Sequence, residues 1–118
     1  MSKARKIALW IVSILVATMF LLTGSFGLLF PGKVHEGFVH YGYSAWFGTF
    51  IAACELLGGI GLLVPRLAAV AATGLSIIMV GAFFTHVSHH EYSYTPGPLV
   101  LLILLLVVIY MRVKEVRA

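Results

Sequence analysis

One acidic residue, Glu55, lies inside a long apolar segment of this 118-residue sequence. If that segment is a helix crossing a bilayer, Glu55 lies about 16 Å from its start at Ser44, close to the bilayer midplane. An ionised carboxylate at that depth costs at least ~2.5 to 3.5 kcal/mol, so we expect the group to be protonated or hydrogen-bonded within a helix bundle. Its chemistry would be proton transfer, or donation of a hydrogen bond to a carbonyl ligand such as a quinone. The alternative is a neutral acid that only joins neighbouring helices.

The surroundings of Glu55 can be predicted from small residues, because helices in lipid associate where their backbones approach closely. Small residues share its helix face at Gly48, Ala52 and Gly59. We therefore expect Glu55 to point into the bundle. Thr18 of the first apolar segment and Ser76 of the third lie at a similar depth and are the expected hydrogen-bond partners, which makes Ser76, with Glu55, a candidate cofactor-binding residue. Cys54 points about 100° away from Glu55 on the helix, and we expect it to pack against neighbours instead of taking part in redox chemistry.

His86 ends the third apolar segment on a face of small residues and is, with Glu55, our candidate catalytic residue. His90 follows four residues later, so both imidazoles could bind one metal if the helix continued, but no second pair lies in the membrane and we predict no metal site. Two alternatives remain: a histidine cluster that transfers protons or contacts anions, and histidines that are only solvated at the membrane surface. Glu55 and His86 should lie too far apart for a direct hydrogen bond, so coupling between them would need water, a ligand or Ser76.

The composition indicates which elements must position these residues. The chain is 61% hydrophobic and only 10% charged, and a soluble domain of this length cannot bury so much apolar surface. We predict an all-α polytopic membrane protein, with a single domain over residues 1–118 that forms an antiparallel four-transmembrane-helix bundle in the lipid bilayer. The predicted spans are about 7–30, 44–64, 67–86 and 96–111. The first covers about 35 Å, more than the roughly 30 Å of a hydrocarbon core.

The basic residues predict the orientation of these spans. Seven of the eight Lys and Arg residues precede the first span, lie between the second and third, or follow the fourth, which leaves Lys33 alone on the other side. Basic residues in short loops mark the cytoplasmic face. We therefore predict that both termini are cytoplasmic and that the protein is a multi-pass protein of the cell inner (plasma) membrane. Because the cations lie at helix ends, no basic face remains for nucleic acid, and no such partner is expected.

Two further segments leave alternatives open. Residues 33–43 mix apolar and polar side chains at helical spacing, which favours a short interfacial helix, although their glycines are equally compatible with a plain loop. The fourth span has no face of small residues, so it is either a peripheral helix in contact with lipid or a surface for another subunit, which could be a second copy of this chain.

Several spaced positions carry a family resemblance: Gly24 and Lys33, the run Cys54–Gly59 followed by Leu62, Leu63, Pro65 and Arg66, and Ala82 with Thr85 and His86. With these residues the chain resembles the DoxX-like family of small four-helix membrane proteins. The resemblance implies an antiparallel four-helix bundle in a membrane. Some relatives are subunits of a thiosulfate:quinone oxidoreductase, some are associated with oxidative-stress partners, and related animal proteins assist receptor assembly. The paired cysteines of redox-linked relatives are not matched here.

Two functional hypotheses follow. In the first, the protein is the membrane subunit of a quinone-linked redox system that acts with a partner membrane or redox protein, with Glu55 contacting the quinone and His86 linking that pocket to the outer surface. In the second, it is a non-catalytic assembly, scaffold or chaperone-like subunit in which these two residues hold a shape that partner helices recognise. The sequence contains no glycine-rich flavin or nicotinamide fingerprint, so an enzymatic role would need a partner protein.

Overall fold

The computed structural model describes residues 1–117, with side chains through Glu115, and every regular element in this range is helical. The elements are α1 (Lys3–Leu29), α2 (Pro31–His40), α3 (Ala45–Leu62), α4 (Ala68–Ser88), a 3₁₀ turn (Tyr92–Tyr94) and α5 (Pro96–Arg117). Four of these helices are long and apolar enough to cross a membrane. The predicted all-α fold with four spans is therefore confirmed. The side chain of Arg117, one of the basic residues used to predict the orientation, lies outside this description.

The helices extend beyond the apolar runs at the end of the bundle where the chain begins. α1 begins at Lys3 instead of about residue 7, and the hydroxyl of Ser2 accepts a hydrogen bond from the Arg5 backbone N–H at 3.2 Å. Lys and Arg are good helix formers, and the cap satisfies one of the free N–H groups of the first turn. Apolar length therefore predicts the part of a helix that lies in lipid, whereas capping sets where the helix begins.

The spans alternate in direction. α1 packs mainly against α3 and α4 against α5, while α3 and α4 are joined by a turn of only five residues, 63–67. Met1 and Lys114 line a common cleft, so both chain ends lie at the same end of the bundle. We call this the terminal end and the opposite one the distal end. Which side of the membrane each end faces remains the prediction made from the charges.

Close backbone contact joins α1 to α3. A methyl group at Gly24 would lie 2.6 Å from the backbone nitrogen of Leu56 and 2.8 Å from the carbonyl oxygen of Ala52. These are backbone atoms of a neighbouring helix, so they cannot move aside as a flexible side chain would. The absence of a side chain at Gly24 therefore sets the distance between the two helices.

Residues 33–43 form a helix and not a plain loop over most of their length. α2 begins with Pro31 at its first turn, where the missing N–H is tolerated, and it runs to His40. Val34 and Phe38 pack over Gly48 of α3, where an added methyl group would lie 2.6 Å from the Val34 side chain. α2 therefore lies across the distal end of α3, and its Lys33, Glu36 and His40 side chains remain exposed.

The buried core occupies the middle and the terminal half of the bundle. It contains residues of all four spans: Leu9, Val16, Ala17, Phe20, Leu62, Ala72, Leu75, Met79, Leu105 and Val108. α5 contributes two of them, so it is packed against the bundle on one side. At the terminal end α5 continues through Arg112, which is only 2% exposed and whose guanidinium lies over the Trp10 ring at 4.9 Å from its centroid. Arg112 is thus a packed residue of the bundle as well as a cation near its end.

Candidate functional site

The distal half of the bundle contains a cavity of about 400 Å³ between α3 and α4, below α2. Its walls are mainly apolar and aromatic, and they are formed by Phe38, Tyr41, Tyr43, Phe47, Ile51, Glu55, Ile77, Ile78, Met79, Gly81, Ala82, Thr85 and His86. A volume of this size and an apolar lining with few polar groups are typical of small-molecule sites. Ile77 lines the cavity and is also 69% exposed. The cavity therefore reaches the lipid-facing surface of α4.

Glu55 lies in the wall of this cavity and is hydrogen-bonded to α1. The hydroxyl of Thr23 donates to Oε2 of Glu55 at 2.5 Å. The expected partners make other bonds, since Thr18 donates to the Ile14 carbonyl and Ser76 to the Ala72 carbonyl, both at 2.7 Å within their own helices. Equal depth in the membrane does not decide which way a side chain faces. Ser76 is buried and is not among the lining residues, so the structure does not bring it to Glu55.

At the distal end of the cavity lies a group that we call the distal cluster, formed by Tyr41, His86 and Glu91. The Tyr41 hydroxyl donates to Oε1 of Glu91 at 2.6 Å, and Nδ1 of His86 lies 3.0 Å from the same oxygen. Tyr41 follows α2, His86 is in the last turn of α4, and Glu91 lies between α4 and the 3₁₀ turn. The cluster therefore ties α2 to the connection between α4 and α5.

The electrostatics of the distal cluster follow from its hydrogen bonds. The bond to Glu91, with a smaller contribution from burial, raises the pKa of Tyr41 to about 12. The hydrogen bonds from Tyr41 and then from His86 lower the pKa of the Glu91 carboxyl. Both changes favour a neutral tyrosine beside an ionised carboxylate. Glu91 is thus an acceptor for two donors at neutral pH.

A second hydrogen bond crosses the same end of the cavity. The hydroxyls of Tyr43, between α2 and α3, and Thr85, on α4, lie 2.8 Å apart. Tyr43 also packs with Phe38 and Phe47, whose rings lie 5.9 and 5.5 Å from its own. These polar contacts lie at the distal end of the cavity, whereas exposed Ile77 marks its opening on the side of α4.

A model of the DoxX-like family matches residues 11–108 of this chain. The chain belongs to the DoxX-like family. The matched region contains the whole cavity lining, together with Thr23 and Glu91. Comparisons with curated proteins and with solved structures found no match to the chain.

In this DoxX-like protein, Glu55 and His86 do not contact each other, as their positions along the spans predicted. Glu55 bonds to Thr23 and His86 to Glu91, yet both residues line the same cavity. A ligand in the cavity is therefore one of the expected intermediates that could connect them. Cys54 is half-buried and is not a lining residue.

The second histidine considered as a metal ligand turns away from His86. α4 ends at Ser88, and His90 has a positive φ of 57°, so the four-residue spacing does not place both imidazoles on one helix face. Nδ1 of His90 lies 3.1 Å from the Tyr92 hydroxyl instead. Among residues 1–117, no three His, Cys, Asp or Glu side chains come together as metal ligands.

Three residues of the site were not predicted from the sequence. Thr23 has no feature that separates it from other threonines in helices, and a tyrosine near the membrane surface, such as Tyr41, is typical of an aromatic belt. Glu91 could have been found from the sequence, because three histidines lie among the five residues before it and an acid can pair with one of them. Tertiary contacts between segments 32 to 50 residues apart in sequence assemble all three.

Proposed function

We propose that this DoxX-like protein is the membrane subunit of a quinone-linked redox system, that its cavity binds the quinone ring, and that a partner redox protein exchanges electrons with the ligand. The observation that carries the proposal is the position of Glu55 and His86 on one mainly apolar cavity. Apart from the tyrosines, Glu55 and His86 are the two ionisable side chains of the cavity lining. They come from different helices and lie at different depths.

The residues of the cavity fit a quinone on three grounds. Phe38 and Phe47 offer aromatic contacts to a flat ring, the apolar walls suit its substituents, and the polar groups suit its two oxygens. Exposure of Ile77 at the cavity wall gives a lipid-soluble ligand a route from the bilayer and leaves room for an isoprenoid tail. A water-soluble ligand would instead have to pass the hydrogen-bonded distal end.

Each polar residue of the cavity has a distinct task in this proposal. A bound quinone supplies a carrier that takes up and releases electrons together with protons. Glu55 hydrogen-bonds one ring oxygen, and Thr23 fixes the direction of the Glu55 carboxyl by donating to Oε2. His86 serves the opposite end of the ligand, where the distal cluster connects it to the aqueous surface. The membrane core around the cavity excludes water, which strengthens these few polar contacts.

The proposal keeps the cellular location predicted from the charge pattern, the inner (plasma) membrane with cytoplasmic termini. The distal cluster would then face the outside of the cell. Cysteine accessibility tests this orientation. Single cysteines replace the exposed Lys33 or the exposed Arg66 in a Cys54→Ala background. In intact cells, a membrane-impermeant maleimide should label only the cysteine at position 33. Labelling confined to position 66 would reverse the orientation.

Quinone binding to purified protein tests the function. We expect the wild type to bind a decyl-substituted benzoquinone and to retain membrane quinone through purification. The Glu55→Gln substitution should weaken binding about tenfold, which corresponds to a loss of roughly 1.4 kcal/mol of binding free energy. Glu36→Gln is the matched control, because Glu36 is an exposed acid of α2 outside the cavity. Absence of binding in the wild type would refute the proposal. If a protein partner then co-purified and Glu55→Gln released it, the assembly hypothesis would be favoured.

A further inference from the structure

We propose that Glu91 is a positioning residue for His86: it fixes the neutral imidazole with its proton on Nδ1, so that Nε2 is a hydrogen-bond acceptor at the cavity. The ligand group that this end of the cavity selects is therefore a hydroxyl, as in a hydroquinone, and not a carbonyl. The assignment of the ligand rests on the proposed quinone function. The tautomer of His86 does not depend on that function.

In the contact between His86 and Glu91, the hydrogen-bond donor is the imidazole. An ionised carboxylate only accepts hydrogen bonds. Oε1 of Glu91 already accepts from the Tyr41 hydroxyl at 2.6 Å, and Nδ1 of His86 lies 3.0 Å from the same atom. A lone pair on Nδ1 at that distance would repel the carboxylate. The proton of a neutral imidazole must therefore be on Nδ1.

The other nitrogen of the ring, Nε2, is an acceptor. A neutral imidazole has one N–H, so Nε2 carries a lone pair. His86 lines the cavity whereas Glu91 does not, so Nδ1 faces away from the cavity. Among the described side chains, residues 1–115, the hydrogen bond of the His86 ring is that of Nδ1, which leaves Nε2 for a ligand.

Tyr41, which lies in a third segment of the chain, stabilises this orientation of His86. Its hydroxyl fixes the Glu91 carboxylate, and its ring meets the imidazole of His86 edge-on at 5.8 Å. The Tyr94 ring lies 5.7 Å from the imidazole on the side of the 3₁₀ turn. The imidazole is therefore held by a hydrogen bond and two aromatic contacts, so its orientation does not depend on a ligand.

An acceptor at Nε2 selects among ligand groups. A hydroxyl donates a hydrogen bond to it, whereas a carbonyl oxygen would place two lone pairs face to face. The nearby hydroxyls do not offset this preference, because Thr85 donates to the Gly81 carbonyl and Tyr43 donates to Thr85. We therefore expect the reduced form of a quinone to bind more tightly than the oxidised form at neutral pH.

The tautomer can be measured in ligand-free, detergent-solubilised protein labelled with ¹³C and ¹⁵N in histidine. We expect the ring shifts of His86, assigned by their loss in His86→Ala, to report a proton on Nδ1. Glu91→Ala should shift the population towards a proton on Nε2, Glu91→Asp should restore the wild-type shifts, and Glu36→Ala should leave them unchanged. A proton on Nε2 in the wild type, or no response to Glu91→Ala, would overturn the assignment of Glu91 as a positioning residue.

The ligand preference is measured with the decyl-substituted benzoquinone and its hydroquinone under argon. We expect the hydroquinone to bind about tenfold more tightly to the wild type at pH 7.5, and this ratio to approach one in Glu91→Ala and to be restored in Glu91→Asp. Equal affinities in the wild type would refute the hydroxyl preference. If neither form bound any variant, the proposed quinone function would fail and take the ligand assignment with it, while the NMR shifts would still decide the role of Glu91.

Discussion

The hydroxyl of Thr23 on α1 donates a hydrogen bond to Glu55 on α3, and this bond joins two helices at the wall of the cavity. It is the hydrogen bond that the described structure gives the Glu55 carboxyl. The same helices approach closely at Gly24, the next residue of α1. The partner of Glu55 is therefore decided by helix packing, because that contact brings residue 23 to the level of the carboxyl.

Thr23→Val should destabilise the protein by about 1 to 3 kcal/mol, since valine keeps the shape of threonine but leaves Glu55 without its partner. Thr23→Ser keeps a hydroxyl and should recover most of the loss. The measurement is thermal unfolding in detergent followed by circular dichroism. Thr18→Val is the matched control, because Thr18 is also on α1 and its hydroxyl bonds only within that helix. Equal effects of Thr18→Val and Thr23→Val would contradict the role of the interhelical bond.

Gly24→Ala should separate α1 from α3 and lower the unfolding temperature by several degrees, because the added methyl would meet backbone atoms of Leu56 and Ala52. Gly74→Ala on α4 should be neutral or stabilising, since nothing lies within 4 Å of a methyl group there and alanine favours a helix. The comparison is made in the same detergent by thermal unfolding. A neutral Gly24→Ala would show that the two helices are not in close contact at this point.

The distal cluster should give Tyr41 an unusual titration. Its pKa of about 12 lies above the ordinary value of 10.0, so its stabilising hydrogen bond is fully present below pH 10 and is lost as the pH rises through about 12. Absorbance at 295 nm, with Tyr41→Phe subtracted, should show this transition in the wild type. In Glu91→Ala we expect the transition to move back towards pH 10. An unchanged midpoint in that variant would contradict the hydrogen bond to Glu91.

At acidic pH the same contact depends on Glu91, and its contribution to stability changes with pH in the opposite direction. The lowered pKa of Glu91 means that its contribution is fully present above the ordinary value of 4.5 and is lost as the pH falls through the folded-state pKa. The difference in unfolding temperature between the wild type and Tyr41→Phe should therefore stay constant from just above pH 4.5 to pH 10 and shrink outside this window. A difference that varied steadily across neutral pH would indicate another titrating partner.

Filling the cavity should weaken ligand binding without unfolding the protein. Ala82→Phe places an aromatic ring in the lining from α4, while Glu55 and His86 keep their own hydrogen bonds. We expect benzoquinone binding to fall at least about tenfold, since the ring removes contact surface. Val80→Phe, on the same helix but outside the lining, should bind like the wild type. Full binding by Ala82→Phe would locate the ligand elsewhere.

The sequence by itself determined the class of fold and the two residues to examine first. Long apolar runs require helices in a bilayer, because backbone groups there have no water to bind, and this physical constraint fixes four spans before any packing is known. A rare acid inside one span and a histidine at the end of another stand out for the same reason. Small residues on the Glu55 helix also predicted a face for contact with other helices, although not which helix meets it.

Only the tertiary structure decided which side chains meet. Thr18 and Thr23 lie in the same helix and are equally polar, and only the packing of α1 on α3 selects Thr23 as the partner of Glu55. Tyr41 reaches Glu91 across 50 residues of sequence, because α2 folds over the distal end of α3. Periodicity fixes the depth and approximate face of a residue in its own helix, whereas a hydrogen bond depends on tenths of an ångström between helices. Those distances follow from how the helix surfaces fit together.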